Sequence, residues 1–154
     1  MGHDYRISWV TEHLAVGSAP MSSADMEMIR AQGIGAIMNL CGEFYGLHEI
    51  ETDQGFTVYF LELMDECAPD MPAMERALDW LQQTIRSGQK VMVHCRHGIG
   101  RTGTMVAAYF LHQGHDIKAA TESLKTSGAQ PSSYCQWKLL RDYQRKLKPK
   151  GLRQ

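Results

Sequence analysis

The run His94-Cys95-Arg96-His97-Gly98-Ile99-Gly100-Arg101-Thr102-Gly103 gathers a thiol, a guanidinium, a hydroxyl and several glycines into one short string. Gly98 and Gly100 can take positive φ and turn successive backbone N–H groups inward. A helix starting near Arg101 would add unpaired N–H donors and about half a positive charge at its first turn. The expected product is an anion cradle built from the amides of Arg96, His97, Gly98, Ile99, Gly100 and Arg101, with phosphate its usual occupant. Arg101 can clamp two oxygens with its planar fork. A cysteine set in such a cradle is favoured as the thiolate, the nucleophilic form, held beneath the phosphorus. Thr102 is placed to give its hydroxyl to the sulfur. His94 reads as an orienting hydrogen-bond residue rather than a base. Three other readings stand beside this one. The string could be a glycine-rich turn around a structural cysteine, or a phosphate-binding loop without turnover. It could also be a metal site of His94, Cys95 and His97, which lacks an evident fourth ligand and faces a positive helix end.

Such a loop needs a strand before it and a helix after it. Lys90-Val91-Met92-Val93-His94 reads as a short buried strand, and Thr104 to Leu111 as a helix apolar almost all round, buried mid-domain. Upstream, Leu14–Gly17, Ala36–Leu40 and Thr57–Leu61 read as strands. A helix capped near Ser22-Ser23-Ala24-Asp25 should stop at Gly33. From Pro72, apolar residues at Met74, Ala77, Leu78, Leu81 and Ile85 mark one helix face that ends before Gly88. Ile117, Ala120 and Leu124 mark a further helix ending at Gly128, and Trp137, Leu140, Tyr143 and Leu147 the last. Strands alternating with helices predict an α/β architecture with a largely parallel central sheet.

The chain has 154 residues, 44% of them hydrophobic, enough for one domain (1–154) with its own core. No apolar run reaches the ~18 residues of a membrane span. The net charge of −1 offers no footprint for nucleic acid or an anionic membrane. Met1-Gly2-His3-Asp4-Tyr5-Arg6 has no apolar h-region, so no signal peptide is expected. The cysteines are dispersed without a CxxC, which fits reduced thiols in a cytoplasmic setting. The basic residues between Arg141 and Arg153 read as a solvated helix end and a flexible tail over about 148–154.

Cys-x5-Arg with His before it and Thr-Gly after it, at the end of a buried strand, resembles the signature loop of the cysteine-based protein tyrosine phosphatases. The length, the short N-terminal half and the late cysteine are similar to the small atypical dual-specificity branch, from Ser8-Trp9-Val10 to the last helix. The resemblance implies a sheet flanked by helices, with the signature loop between a buried strand and a buried helix. It implies hydrolysis of phosphotyrosine and of phosphoserine or phosphothreonine through a phosphocysteine, with no metal or organic cofactor. Cys95 would be the nucleophile, with Arg101 and Thr102 beside it.

The same resemblance implies a general acid about thirty residues before the cysteine. Asp65 is the choice, Glu66 (three before Pro69) the runner-up, and Asp70 the third candidate. In related phosphatases a glutamine near the start of the last helix approaches the site. Gln136 would then position water, the alternative being an exposed helix glutamine. Ile37-Met38-Asn39-Leu40-Cys41-Gly42-Glu43 is similar to the segment that carries a back-door cysteine in phosphoinositide and regenerating-liver phosphatases. That makes Cys41 either a redox partner of Cys95 or a small buried hydrophobe. Cys67 and Cys135 read as non-catalytic.

The 42–50 segment, with Phe44, Tyr45 and His48, stands as a short loop where larger tyrosine phosphatases have a long one, so a shallow pocket is implied. Arg96 and His97 add positive character, but the extra lysines of inositol-lipid relatives are missing. Phosphorylated proteins or peptides are thus the expected partners of a monomer. Inositol lipids, an RNA 5′-phosphate, or phosphate binding without turnover are the alternatives.

Overall fold

The structure is a computed structural model and describes residues 5–148. The expected flexible tail lies outside the described residues beyond Lys148. The elements in order are β1 (Ile7–Trp9), β2 (Leu14–Gly17), α1 (Ser23–Ala31), β3 (Ile34–Cys41), α2 (Leu47–Asp53) and β4 (Thr57–Leu63). Then come α3 (Met71–Arg86), β5 (Lys90–His94), α4 (Gly100–His112), α5 (Ile117–Glu122), a 3-10 turn (Lys125–Ser127) and α6 (Tyr134–Leu147). The strands form one sheet in the order β1-β2-β5-β3-β4, parallel except for the β1–β2 pair. This is the largely parallel α/β sheet flanked by helices that the sequence predicts.

Strand alternation divides the core. Val91 and Val93 of β5, with Ala36, Met38 and Leu40 of β3, face α3, α4 and α6. Met92 and Ile37 face the other way, toward α1, α2 and Tyr5. β5 lies between β2 and β3, so His94 pairs with Gly17 on one side and Asn39 on the other. The carboxyl ends of three parallel strands therefore meet where the signature loop begins, the place where open α/β sheets bind ligands.

The expected cap of α1 is present: the Ser22 hydroxyl accepts from Asp25 N. Ser133 caps α6 as well, with Gln136 returning the bond. α4 is buried from Arg101 through Leu111, as its all-round apolar sequence requires. Among the described residues, no helix is long and apolar enough to cross a membrane.

Three boundaries differ from expectation. The helix opened by Ile117 ends at Glu122, and only a 3-10 turn carries the chain on to Gly128, whose φ of 82° closes it. β1 adds an antiparallel edge strand that the sequence reading left unassigned. The 42–50 segment is not all loop, because α2 starts at Leu47. Its buried face is Leu47 and Glu51, and its cap, Gly46, offers no side chain, so neither hydrophobic periodicity nor a cap marked it.

Candidate active site

The loop from Cys95 to Arg101 is shaped by close contacts on all sides. Gly98 has a φ of 76°, and a Cβ there would stand 2.7 Å from the Gly17 carbonyl oxygen, so only glycine fits. Ala19 N donates to Arg96 O at 3.1 Å, and Gln130 N to Ile99 O at 3.1 Å, pinning both flanks. Inside the loop, Cys95 Sγ is buried and accepts from Gly98 N at 3.3 Å and from Thr102 Oγ1 at 3.1 Å. The thiol thus meets an inward amide and a hydroxyl, both donors that suit a sulfur anion.

Arg101 sits on the first turn of α4 and is 2% exposed. Its Nη1 donates to Glu43 Oε1 at 2.6 Å and to the Leu63 carbonyl at 2.9 Å, and its Nη2 donates to Glu43 Oε2 at 3.0 Å. Burial works against the charge of Arg101, but the bond to Glu43, with the neighbouring Cys95 and Cys41, outweighs it, and the pKa rises. The same bond holds the Glu43 carboxyl down at about 2. Nε is buried with no acceptor. A guanidinium has five N–H donors; three are taken, and the Nε–Nη2 edge is left with one on each nitrogen. A buried orphan donor beside a nucleophile is a place for an oxyanion oxygen.

Asp65 and Glu66 lie on the turn between β4 and α3. Asp65 is 70% exposed, and its Oδ1 stands 3.8 Å from Arg101 Nη2. Oδ1 also accepts from Glu66 N at 3.0 Å. Glu66 has a φ of 66°, the one non-glycine residue with positive φ among the described residues. Its carboxylate turns to Ser132 Oγ at 3.4 Å, away from Arg101. Asp70 is the N-cap of α3, accepting from Ala73 N at 2.8 Å, which gives it a structural task.

Gln136 is fully buried, so the exposed-glutamine alternative is overturned. Its Oε1 accepts from Ser132 N at 2.7 Å and Ser133 N at 3.3 Å, and its Nε2 donates to Cys67 O at 3.2 Å. The amide therefore ties the turn carrying Asp65 to the start of α6. Cys41 is buried at the end of β3, and burial, followed by the neighbouring Glu43, pushes its thiol up to about 12. Cys67 and Cys135 are exposed. In the loop, Arg96 and His97 are exposed, and the Arg96 guanidinium lies 5.5 Å from the Phe44 ring centroid. Phe44 in turn lines an apolar groove of about 540 Å³ with Pro20, Met21, Met26, Tyr45 and Ile50.

Two residues of this arrangement escaped sequence reasoning. Glu43, which grips Arg101, carries no motif of its own; its one signal is its place just beyond the end of a strand neighbouring β5. Glu51, whose carboxylate meets the His94 ring at 2.6 Å, lies on the unforeseen α2.

A thiol under an amide loop, an arginine with an open edge and a carboxylate opposite, all at the carboxyl ends of parallel strands, define a cysteine-based phosphatase of the dual-specificity type. Residues 14–115 match the family model described as polymorphic toxin system, DSP-PTPase phosphatase, and the chain belongs to that family. Mouse protein phosphatase Slingshot homolog 3 is 27% identical over 122 residues, 78% of this chain and 18% of that protein. The phosphatidylglycerophosphate phosphatase PTPMT1 of Arabidopsis thaliana is 24% identical over 139 residues, 87% of this chain and 41% of that protein. The chain thus spans under half the length of either relative. Among solved structures, Tk-PTP in its active form shares the fold with a TM-score of 0.83 at 21% identity, over 92% of this chain and 97% of that one.

Proposed function

We propose that this chain hydrolyses phosphoric monoesters through a phosphocysteine on Cys95, with phosphorylated proteins as its main substrates in a reducing cytosol. The observation that carries the reading is the open Nε–Nη2 edge of Arg101 beside a buried thiol that accepts from Gly98 N and Thr102 Oγ1. Phosphate oxygens take the loop amides and that edge. The Cys95 thiolate attacks phosphorus in line, the ester P–O bond breaks, and Asp65 protonates the leaving oxygen. Water then attacks the phosphocysteine and gives a proton to Asp65. The S–P bond breaks, the thiolate returns under the Thr102 hydroxyl, and inorganic phosphate leaves. Every proton and electron pair is accounted for without a metal or organic cofactor. Asp65 is preferred to Glu66 because its carboxylate is the one near Arg101. Gln136, already bonded at both ends of its amide, is assigned to holding the acid turn rather than to placing water.

The test is hydrolysis of an aryl phosphate in the presence of a chelator by the wild type and Cys95→Ser. The wild type should turn over. The serine variant should lose turnover and still bind inorganic phosphate, since the amides and Arg101 remain. Full activity of the serine variant overturns the mechanism. Phosphate binding by a wild type without turnover would leave a binding module.

A second reading, a non-protein phosphomonoester such as an inositol lipid or an RNA 5′-phosphate, is favoured by one observation: the apolar groove reached through Phe44 beside Arg96. Against a lipid stands the near-neutral chain with no lysine in the loop. The expected order is phosphotyrosine peptides fastest, phosphothreonine and phosphoserine peptides slower, and inositol lipids weakly. A lipid far better than every peptide would reverse the assignment.

A further inference from the structure

His94 and Cys95 are adjacent in sequence, and strand alternation sends them to opposite faces of the sheet. Cys95 lies in the core shared with α4, while His94 faces α2. There its Nε2 is 2.6 Å from Glu51 Oε2, and Glu51 Oε1 accepts from Asn39 Nδ2 at 2.9 Å. Asn39 Oδ1 accepts in turn from Cys41 N at 2.8 Å. His94, Glu51 and Asn39 are each 0% exposed. Glutamate is among the residues least often buried completely, and it is tolerated there only when paired and hydrogen-bonded. A short helix whose buried face is only Leu47 and Glu51 therefore carries that carboxylate for a reason other than packing.

The geometry points to Glu51 as a positioning residue for the nucleophile loop, acting through His94; this rests on the phosphatase reading of the site. The second ring nitrogen, Nδ1, lies 3.1 Å from the Cys95 carbonyl oxygen. Nδ1 faces a carbonyl, which can only accept, so the ring is assigned an N–H there, while Nε2 and the Glu51 carboxyl share one hydrogen bond. That bond to Glu51 fixes the ring with Nδ1–H donating to Cys95 O. That carbonyl belongs to the same peptide group as the Arg96 N–H, the first amide of the cradle. A donor on the oxygen sets the plane of that peptide and polarises its N–H, which strengthens it toward an anion. Glu51 never meets the substrate; it sets the first donor that does. The other ionisable groups around the network are Tyr5, which feels both Asp25 of α1 and Glu51, and Cys41 of β3; Arg101 lies beyond Cys95 on the opposite face.

The experiment compares wild type, Glu51→Gln, His94→Asn and the double variant, in the full chain, with folding checked by circular dichroism. Glu51→Gln should lower kcat on an aryl phosphate about 10–100-fold. In a Cys95→Ser background it should weaken inorganic phosphate binding about tenfold. In the His94→Asn background the glutamine substitution should cost less than about twofold more, because its route to the loop is already cut. A merely structural Glu51 would give the same further loss in both backgrounds, and that result, or an unaltered kcat in folded Glu51→Gln, overturns the proposal. Should the variants not fold, nitrogen NMR of the wild-type His94 ring decides: an N–H at Nδ1 supports it, and a bare Nδ1 overturns it. A wild type without turnover would sink the phosphatase reading alone, since phosphate affinity and the ring spectrum still report on Glu51.

Discussion

Glu43 holds Arg101 end-on, with its two oxygens 2.6 Å from Nη1 and 3.0 Å from Nη2, so the side edge of the guanidinium stays open. An ammonium could not be held and presented in this way, because the fork needs a plane with two usable edges. The arginine is oriented before any anion arrives, and the ordering cost is met in folding rather than in binding.

Glu43→Gln should reduce kcat/KM on an aryl phosphate about 10–100-fold, the worth of one charge-assisted bond. It should also lower stability at neutral pH. The folded Glu43 carboxyl is depressed to about 2 from an ordinary 4.5 by its bond to Arg101. A depressed acid contributes stability that is full above its unfolded value and lost as pH falls toward its folded one. The urea midpoints of wild type and variant should therefore differ by a constant amount near pH 7, begin to converge below about 4.5 and meet only near 2. A gap as wide at pH 3 as at pH 7 would mean that the variant is destabilised by packing rather than by the lost ion pair.

Asp65→Asn should slow hydrolysis by about 10²–10⁴-fold, most for poor leaving groups, and remove the basic limb of the pH–rate profile. Glu66→Gln should leave that limb in place. The opposite pattern would move the acid to Glu66.

Gly98→Ala should cost more than about a hundredfold in kcat. The new Cβ meets the Gly17 carbonyl oxygen at 2.7 Å, and the left-handed backbone adds about 1–2 kcal/mol of strain. Relief of both would swing the Gly98 N–H away from Cys95 Sγ. Activity within about threefold of wild type would show that this amide does not serve the sulfur.

Mild peroxide should inactivate the enzyme at Cys95, and thiol should restore it. If Cys41 resolves the sulfenic acid, its reactive form is the thiolate, and its thiol is pushed up to about 12. After peroxide is removed, formation of a Cys41–Cys95 disulfide, followed by peptide mapping, should therefore speed up about tenfold per pH unit between 7 and 9. A rate independent of pH, or no disulfide at all, would exclude Cys41 as the partner.

The parts of this site made by one continuous stretch were legible in the sequence. Lys90–His94 and the apolar run after Thr104 announce their strand and helix, and the glycines between them announce the loop. Asp70 is local as well: its place just before Met71-Pro72 is that of a helix cap. Side chains whose partners come from distant segments were not. Glu43 looks like any loop carboxylate until β3 is set beside β5. Glu51 breaks the apolar pattern that reveals a helix, and its partner His94 sits 43 residues away. Gln136 shows its capping role locally, but its bond to Cys67 spans 69 residues.

The bonds from Gln130 N to Ile99 O and from Gln136 Nε2 to Cys67 O have a consequence for the order of synthesis. A growing chain that has emerged only through α4 already contains Cys95, Arg101 and Asp65. It still lacks the backbone that seats the loop and the amide that anchors the turn carrying Asp65. A domain folds as a unit while it is being made. The site therefore assembles only once residues 130–136 clear the ribosome, and a ribosome stalled before that point displays the whole signature string in an unfinished enzyme.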